Sequence, residues 1–225
     1  MIKAVFIDID NTLLDFIRGS RVAVKNTMDE YGFEFSDEVY NVFKEVNDEL
    51  WRGIEKHIVT QEELYKTRWN MILERFGIEA DGEAVDRRFR ELVQETAVPV
   101  DNACEMLRYL SSKYPVYAAS NAFHNKQGLR LEKAGMRGFI KRIMTSGELG
   151  YLKPSREFFD ECMKIAGLEN PAEVVIIGDS LTADISGGIE YGFKTCWFNF
   201  HNEELPDDIK PDFVVTSLDE VKLYL

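Results

Sequence analysis

Cysteine and histidine are both scarce in this sequence, and neither is arranged as a metal or redox site. Cys104, Cys162 and Cys196 are widely spaced and form no Cys-Xaa-Xaa-Cys pair, and the three histidines are scattered along the chain. The composition therefore favours buried free thiols in a reducing compartment over a disulfide framework or a zinc centre.

Long apolar runs are also missing, because no stretch approaches the ~18 residues that a membrane-spanning helix requires. The amino-terminal segment MIKAVFIDID runs into two aspartates without a small-residue cleavage site, so we do not expect a signal peptide. These features predict a cytoplasmic protein without a membrane partner.

Positive charge is in short supply. The chain has 27 Lys and Arg against 40 Asp and Glu, a net charge of −13. Such a chain should be repelled by nucleic-acid phosphates, so we expect no nucleic-acid partner, although a small anionic substrate could bind where cations gather. The 225 residues, 45% of them hydrophobic, suffice for one folded domain with a large insertion or for two small domains.

The apolar pattern changes character along the chain. Residues 2–9 are almost continuously apolar, as in a strand buried on both faces, and residues 15–97 then follow a helical period. After Pro99, predicted helices alternate with strands at 115–120, 141–146, 174–178, 194–200 and 213–215, and a helix ends the chain. This alternation predicts an α/β fold with a doubly wound parallel sheet.

The helical stretch interrupts the alternating pattern after its first strand. We therefore predict an α/β core formed by residues 1–14 and 98–225, with an inserted all-helical cap domain over residues 15–97. Within the cap, Thr60 and Glu63 have the spacing of a capping box, which predicts that a helix begins there.

Polar side chains cluster where predicted strands end, and ligands of open α/β sheets bind at the carboxyl ends of strands. Asp8, Asp10 and Thr12 follow the first strand, and Ser120 and Asn121 follow the second. The later members of this set are Lys153 in a loop, Asp179 after the fourth strand, and Asp184 five residues beyond it.

These residue types suit phosphoryl transfer. Four aspartates form a hard oxygen site that suits Mg²⁺, while Lys153 and the hydroxyls of Thr12 and Ser120 could hold a phosphate. A carboxylate can attack phosphorus to form an aspartyl-phosphate, and a second carboxyl group can protonate the leaving alcohol and then activate water. Asp8 and Asp10 fit these two roles.

The same four segments resemble the motifs of the haloacid dehalogenase superfamily of phosphohydrolases. The segment DIDNT at residues 8–12 is similar to the DxDxT motif, Ser120 and Lys153 to the second and third motifs, and GDSLTAD at residues 178–184 to GDxxxxD. The motifs occur in the family's order and the resemblance covers essentially the whole chain. The helical insertion is similar to the C1 cap that closes over small-molecule substrates.

The resemblance implies a role for each of these residues. Asp8 would be the nucleophile and Asp10 the acid and base. Mg²⁺ would be held by Asp8, the backbone carbonyl of Asp10, and Asp179, with Asp184 binding the metal or its waters. Ser120, the amide of Asn121, and Lys153 would hold the phosphate.

The expected activity is therefore Mg²⁺-dependent hydrolysis of a small phosphate ester. The cap and carboxyl-terminal segments resemble the pyrimidine nucleotidase branch, which suggests nucleoside 5′-monophosphates, and sialic-acid-9-phosphate phosphatases have a similar layout. A 2-haloacid dehalogenase is an alternative, but dehalogenases of the superfamily lack the second motif aspartate, which is present here as Asp10. A sugar phosphomutase and a non-enzymatic binding protein are further alternatives.

A segment between two predicted cap helices is a candidate for substrate specificity. It contains Arg52, Lys56 and His57, and loops held by a scaffold often carry function. The oligomeric state stays open between monomer and dimer.

Overall fold

The computed structural model describes residues 1–56, 58–122 and 126–225. The chain divides into two compact units. The α/β unit comprises residues Met1–Phe16 and Ala97–Leu225, and the helical unit comprises Ile17–Thr96. Within the described residues, no helix has the length and apolar character needed to cross a membrane.

The helical unit is built from amphipathic helices with clear start signals. Thr60 caps the third helix, because its side chain accepts from the backbone of Glu63 while the Glu63 carboxylate accepts from the backbone of Thr60. This reciprocal arrangement is the predicted capping box. The helices are α1 (Phe16–Glu30), α2 (Asp37–Glu55), α3 (Gln61–Arg75) and α4 (Gly82–Val93).

An aromatic cluster forms the centre of the helical unit. Phe43 of α2, Trp69 of α3 and Phe89 of α4 are almost fully buried, and the ring centroids of Phe43 and Phe89 lie 4.8 Å apart. Tilted aromatic pairs at such distances stabilise a core beyond their burial alone. These aromatic residues therefore form the internal core of the helical unit.

The predicted loop around residues 52–57 is wrong in its first part. Helix α2 continues through Glu55, so Arg52 lies in its last turn and Lys56 is its C-cap residue. The extension follows from Ile54, which is 2% exposed and adds a further turn to the buried face of the helix. Gly53 lies within α2, and its missing Cβ leaves room for the Val59 side chain, which would lie 2.7 Å from a Cβ there.

In the part of the chain that the structure describes, a parallel sheet of six strands forms the α/β unit. Its strand order is β3-β2-β1-β4-β5-β6. The central strands are wholly buried, as expected of a sheet covered on both faces. The strands are β1 (Ala4–Ile7), β2 (Val116–Ser120), β3 (Arg142–Thr145), β4 (Val174–Gly178), β5 (Lys194–Phe198) and β6 (Phe213–Val215). The predicted doubly wound α/β fold is confirmed.

Helices connect these strands. They are α5 (Ala103–Lys113), α6 (Gln127–Lys133), α7 (Ser146–Leu149), α8 (Arg156–Ala166) and α9 (Gly187–Tyr191). Gly188 lets α9 approach the sheet closely, because a Cβ there would lie 2.7 Å from the Ile176 side chain. A side chain at position 188 would therefore prevent this packing.

Two predicted helices differ in detail. The segment Leu181–Ser186 is a π-helical turn that leads into α9, so the helix predicted between the fourth and fifth strands is α-helical only in its second half. The carboxyl-terminal segment Leu218–Leu223 is a 3₁₀ helix. Its buried residues Leu218 and Val221 are three positions apart, a spacing that aligns side chains on one face of a 3₁₀ helix.

The order of the strands places a crevice beside β1. The chain passes from β1 to β2 and β3 on one side, and then returns to place β4 on the other side of β1. Ile7 is in register with Ala118 of β2 and Ile177 of β4, so the carboxyl ends of these strands are level. Ligands of open α/β sheets bind at such a switch point.

Candidate active site

Carboxylates from two neighbouring strand ends converge at this switch point. Among the described residues, Asp8, Asp179 and Asp184 each place an oxygen atom within 4.8 Å of the other two. We call these residues the carboxylate cluster. Asp8 follows β1, Asp179 follows β4, and Asp184 lies in the π-helical turn beyond.

Gly178 allows the π-helical turn to pack against the end of β4. A Cβ at this position would lie 2.1 Å from Oδ2 of Asp184, a distance that a side chain cannot occupy. The Asp184 carboxylate also accepts from the backbone N–H of Ser180 at 3.3 Å. The glycine and the turn together bring the Asp184 carboxylate close to the end of β4 and within reach of Asp179.

Lys153 joins two members of the cluster. Its Nζ donates to Oδ1 of Asp8 at 2.6 Å, to Oδ1 of Asp184 at 2.7 Å, and to the carbonyl oxygen of Ala119 at 2.7 Å. An ammonium group has three donors, so these contacts use its full donor capacity. Lys153 is 1% exposed, so its charge is held away from bulk water.

Burial and neighbouring charges both shift the pKa values of the cluster. Burial, partly opposed by Lys153 and reinforced by Asp184, raises the pKa of Asp8 to about 7. Burial and the charges of Asp8 and Asp184 raise the pKa of Asp179 well above its usual value. Burial lowers the pKa of Lys153, but Asp184 and Asp8 outweigh that effect and raise it, so the lysine stays charged.

Asp179 is oriented by two further groups. The buried Thr12 hydroxyl donates to its Oδ1 at 3.1 Å, and Nε1 of Trp197 in β5 donates to its backbone carbonyl at 2.9 Å. The sequence predicted that Thr12 holds phosphate, whereas the structure places its hydroxyl on a carboxylate. The contact of Trp197 was not anticipated, because an apolar strand sequence does not indicate that its tryptophan bonds to the end of the neighbouring strand.

Asp10 is two residues from Asp8 but has different partners. Its Oδ1 accepts from Nη1 of Arg130 at 2.6 Å, and its Oδ2 accepts from Nε2 of Gln127 at 2.8 Å. Its carboxylate is not a member of the carboxylate cluster found among the described residues. Sequence reasoning missed Gln127 and Arg130, although their spacing of three in a predicted helix following Ser120 was a usable signal.

Ser120 and Asn121 lie at the end of β2, as predicted. The Ser120 hydroxyl oxygen accepts from the backbone N–H of Ala122 at 3.2 Å. The Asn121 side chain pairs with the backbone of Lys153, donating to its carbonyl at 2.9 Å and accepting from its N–H at 2.7 Å. Asn121 therefore fixes the loop that presents Lys153.

The predicted specificity residues belong to the other unit. Arg52 and Lys56 are exposed at the end of α2. His57 lies outside the described residues. The proposed substrate contacts of these side chains stay a prediction.

The donor set of the carboxylate cluster fits a hard divalent cation. Its members supply carboxylate oxygens only, the ligands that Mg²⁺ prefers, and one ammonium does not neutralise the charges of three carboxylates. A divalent cation bound there would offset the repulsion between these carboxylates and favour their ionised forms.

A sequence model of one protein family matches most of this chain. The model of the haloacid dehalogenase-like hydrolases matches residues 2–192 of the chain. The protein therefore belongs to the haloacid dehalogenase-like hydrolase family and is an enzyme, as the motifs predicted.

The chain is similar over nearly its whole length to several known proteins. It is 29% identical to the HAD-hydrolase YfnB of Bacillus subtilis, with 97% of this chain and 93% of that protein aligned. The crystal structure of YfnB bound to magnesium matches with a TM-score of 0.95, covering 100% of this chain and 98% of that one. The pyrimidine 5′-nucleotidase PynA of Streptococcus pneumoniae is 30% identical, over 97% of this chain and 93% of its own length.

A second nucleotidase gives the same level of similarity. The pyrimidine 5′-nucleotidase YjjG of Escherichia coli is 29% identical, with 98% of this chain and 96% of that protein aligned. These relatives match the nucleotidase branch whose resemblance was noted in the sequence.

Proposed function

We propose that this hydrolase cleaves small phosphate monoesters with Mg²⁺ as cofactor, through a phosphorylated Asp8. The observation that carries the proposal is the position of Asp8, whose carboxylate is bonded to the buried Lys153 beside Asp179 and Asp184. The bond to Lys153 fixes one carboxylate oxygen of Asp8, the potential nucleophile. The three carboxylates together favour the binding of a divalent cation. The Mg²⁺-bound YfnB structure, of similar sequence and shape, supports the choice of metal.

The reaction proceeds in two displacements. An Asp8 carboxylate oxygen attacks phosphorus, a new P–O bond forms, and the bond to the ester oxygen breaks while the departing alcohol takes a proton from Asp10. Asp10 then removes a proton from water, and the resulting hydroxide attacks phosphorus. The bond to Asp8 breaks, and inorganic phosphate leaves.

The remaining residues hold the reacting groups. Asp8, Asp179, Asp184 and the backbone carbonyl of Asp10 would hold Mg²⁺, which when bound offsets the negative charge of nucleophile and phosphate. Lys153 keeps a positive charge beside Asp8, and Ser120 and the backbone of Asn121 would contact the phosphate. We assign Thr12 to the orientation of Asp179, because its hydroxyl donates to that carboxylate.

Nucleoside 5′-monophosphates with pyrimidine bases are the substrate class that we favour. Two relatives of similar length and about equal identity, YjjG and PynA, are pyrimidine 5′-nucleotidases. We also place the protein in the cytosol, where its free thiols Cys104, Cys162 and Cys196 would stay reduced.

The test is phosphate release from a panel of esters with Mg²⁺. The panel contains pyrimidine and purine nucleoside monophosphates, sugar phosphates, sialic acid 9-phosphate and p-nitrophenyl phosphate. Asp8→Asn removes the nucleophile with little change in shape, and Asp207→Asn is the matched control in an exposed loop. We expect hydrolysis by the wild type and by Asp207→Asn, and a loss of at least about 10⁴-fold in Asp8→Asn.

Other outcomes would redirect the assignment. Transfer of phosphate to a second sugar hydroxyl, without release of inorganic phosphate, would establish a mutase. Halide release from a 2-haloacid without phosphatase activity would establish a dehalogenase. A wild type that neither binds Mg²⁺ nor turns over any ester would contradict the proposal.

A further inference from the structure

We propose that Gln127 and Arg130 are positioning residues that hold the Asp10 carboxylate in its working orientation for proton transfer. This inference rests on the proposed function, in which Asp10 is the acid and base. Neither residue belongs to the segments that suggested the active site, and both were found from contacts in the fold.

The contacts form a closed arrangement around one carboxylate. Arg130 Nη1 donates to Oδ1 of Asp10 at 2.6 Å, while Gln127 Nε2 donates to Oδ2 at 2.8 Å. Arg130 Nη1 also donates to Oε1 of Gln127 at 2.8 Å, so the two donors brace each other. Because each carboxylate oxygen has its own donor, rotation about the last bond of the Asp10 side chain is restrained.

Burial makes these donors rigid. Gln127 and Arg130 are each 4% exposed, whereas the Asp10 side chain is 32% exposed. Hydrogen bonds of a buried guanidinium to a carboxylate are stronger and better oriented than those of a mobile surface side chain. The exposed part of Asp10 can therefore meet a leaving group or water while its position is fixed from beneath.

Helix α6 sets the direction of both donors. Gln127 is its first residue and Arg130 follows three positions later, so the two side chains lie on one face. Gln127 Nε2 also lies 3.5 Å from Oγ of Ser120, at the end of the neighbouring strand β2. One helix face thereby links the Asp10 carboxylate to a residue that we expect to contact phosphate.

The restraint has a distinct kinetic consequence. An alkyl phosphate needs a proton from Asp10 as its alcohol departs, whereas p-nitrophenolate is a weak base that departs without one. Misplacing Asp10 should therefore slow transfer of the phosphoryl group to Asp8 from an alkyl ester. Transfer from p-nitrophenyl phosphate should be little changed. Hydrolysis of the phosphorylated Asp8 still requires the base and should be slow with either ester.

The experiment compares Arg130→Met and Gln127→Met with the wild type in the presence of Mg²⁺. Arg142→Met is the matched control, because that arginine forms an ion pair with Glu148 at the surface of the same unit. We measure steady-state hydrolysis of an alkyl phosphate, the initial burst of p-nitrophenolate, and the inhibition constant of inorganic phosphate. Arg130→Lys tests whether the cation alone restores function.

For Arg130→Met we expect kcat on the alkyl ester to fall about 100-fold, the loss typical of a misplaced catalytic group. The rate constant of the p-nitrophenolate burst should stay within about threefold of the wild type, and so should the inhibition constant of phosphate. Gln127→Met should lose about tenfold, because Arg130 still holds Asp10, and Arg130→Lys should recover part of the loss.

A double-substitution cycle separates positioning from a general structural role. In an Asp10→Asn background, Arg130→Met should cost at most about twofold, since the group that it positions is already disabled. Equal losses in both backgrounds, or a burst that falls in proportion to alkyl ester turnover, would contradict the inference. A weaker inhibition by phosphate would instead assign Arg130 to substrate binding and also contradict it.

The experiment distinguishes this inference from the proposed function. If the wild type hydrolyses esters and Arg130→Met behaves like Arg142→Met, the inference is wrong and the proposed function stands. If the wild type releases phosphate from none of the esters, both are wrong. Thermal unfolding of each variant shows whether Arg130→Met remains folded, and Gln127→Met supplies the result if it does not.

Discussion

The helical unit and the α/β unit each bury a charged network, and the two networks differ in how their carboxylates are matched by cations. In the helical unit, Asp86 is wholly buried, with its Oδ1 bonded to Arg68 at 2.7 Å and its Oδ2 to Arg90 at 2.7 Å. Arg68 also donates to Asn47 at 2.9 Å. In the α/β unit, Lys153 is bonded to Asp8 and Asp184, two of the three members of the carboxylate cluster, and among the described residues it is the one cation against those three carboxylates.

The difference separates a structural network from a functional one. Where each carboxylate oxygen has a cationic partner, the network is complete without a ligand, and its loss leaves an uncompensated buried charge. Where carboxylates outnumber cations, the fold holds electrostatic repulsion that a bound cation relieves. Such unbalanced clusters mark candidate functional sites more reliably than burial of charge alone.

The largest effect should follow removal of the cation from the unbalanced network. Lys153→Met leaves buried carboxylates facing one another, so we expect ~3–5 kcal/mol less stability without Mg²⁺ and partial recovery with it. Phosphatase activity should fall at least about 10³-fold. Denaturant unfolding with and without Mg²⁺ checks this, with Lys210→Met, an exposed lysine, as control. An unchanged unfolding free energy would show that the lysine does not offset the repulsion.

The network around Asp86, in which two arginines meet one carboxylate, should respond to substitution without involving the metal. Asp86→Asn leaves Arg68 buried without its full charge partner, so we expect a loss of ~3–5 kcal/mol in unfolding free energy. Mg²⁺ should stabilise this variant by no more than it stabilises the wild type. Asp29→Asn, which removes an exposed pair with Lys25, should cost less than about 1 kcal/mol. A full rescue of Asp86→Asn by Mg²⁺ would remove the distinction between the networks.

Removing one carboxylate from the cluster should raise the stability of the metal-free protein. Asp179→Asn relieves repulsion with Asp8 and Asp184, so the metal-free variant should be about 1 kcal/mol more stable than the wild type at pH 8. The same change should abolish most of the increase in Tm that Mg²⁺ produces. Thermal unfolding over a Mg²⁺ titration measures both. A variant less stable than the metal-free wild type would mean that the Thr12 and Trp197 contacts outweigh the repulsion.

The last expected effect is a dependence of the metal-free protein's stability on pH. The folded-state pKa of Asp8 is raised to about 7, above the unfolded value, so its contribution favours folding at low pH and is lost as pH rises through 7. The metal-free Tm should therefore fall as pH rises from about 4 to 7 and change little above pH 7. The stabilisation by Mg²⁺ should grow over the same interval, because the metal needs ionised ligands. A Mg²⁺ effect independent of pH would contradict this account of Asp8.

The strand ends were predictable because their signal is local. A buried parallel strand is a short apolar run. Asp8 and Asp179 are the first polar residues after such runs, and Ser120 is the last residue of another. Their convergence follows from the parallel order of the strands alone. The family motifs then supplied Lys153, whose loop position carries no periodic signal.

Other parts of the site depend on contacts that local pattern does not encode. Arg130 meets Asp10 across 120 residues of sequence, and Asn121 pairs with the backbone of Lys153 across 32. Both pairings require the packing of loops and helix α6 around the sheet. The end of α2 was missed for a related reason: Gly53 indicates a turn locally, whereas burial of Ile54 continues the helix.

Trp197 gives the protein an internal optical reporter. Its indole N–H is bonded to the backbone carbonyl of Asp179, so a chromophore buried in β5 is in direct contact with a member of the carboxylate cluster. The sequence contains three tryptophans, of which Trp51 and Trp69 lie in the helical unit. Replacing those two with phenylalanine would leave one emitter beside the carboxylate cluster, so that cation binding could be followed by fluorescence without any substrate.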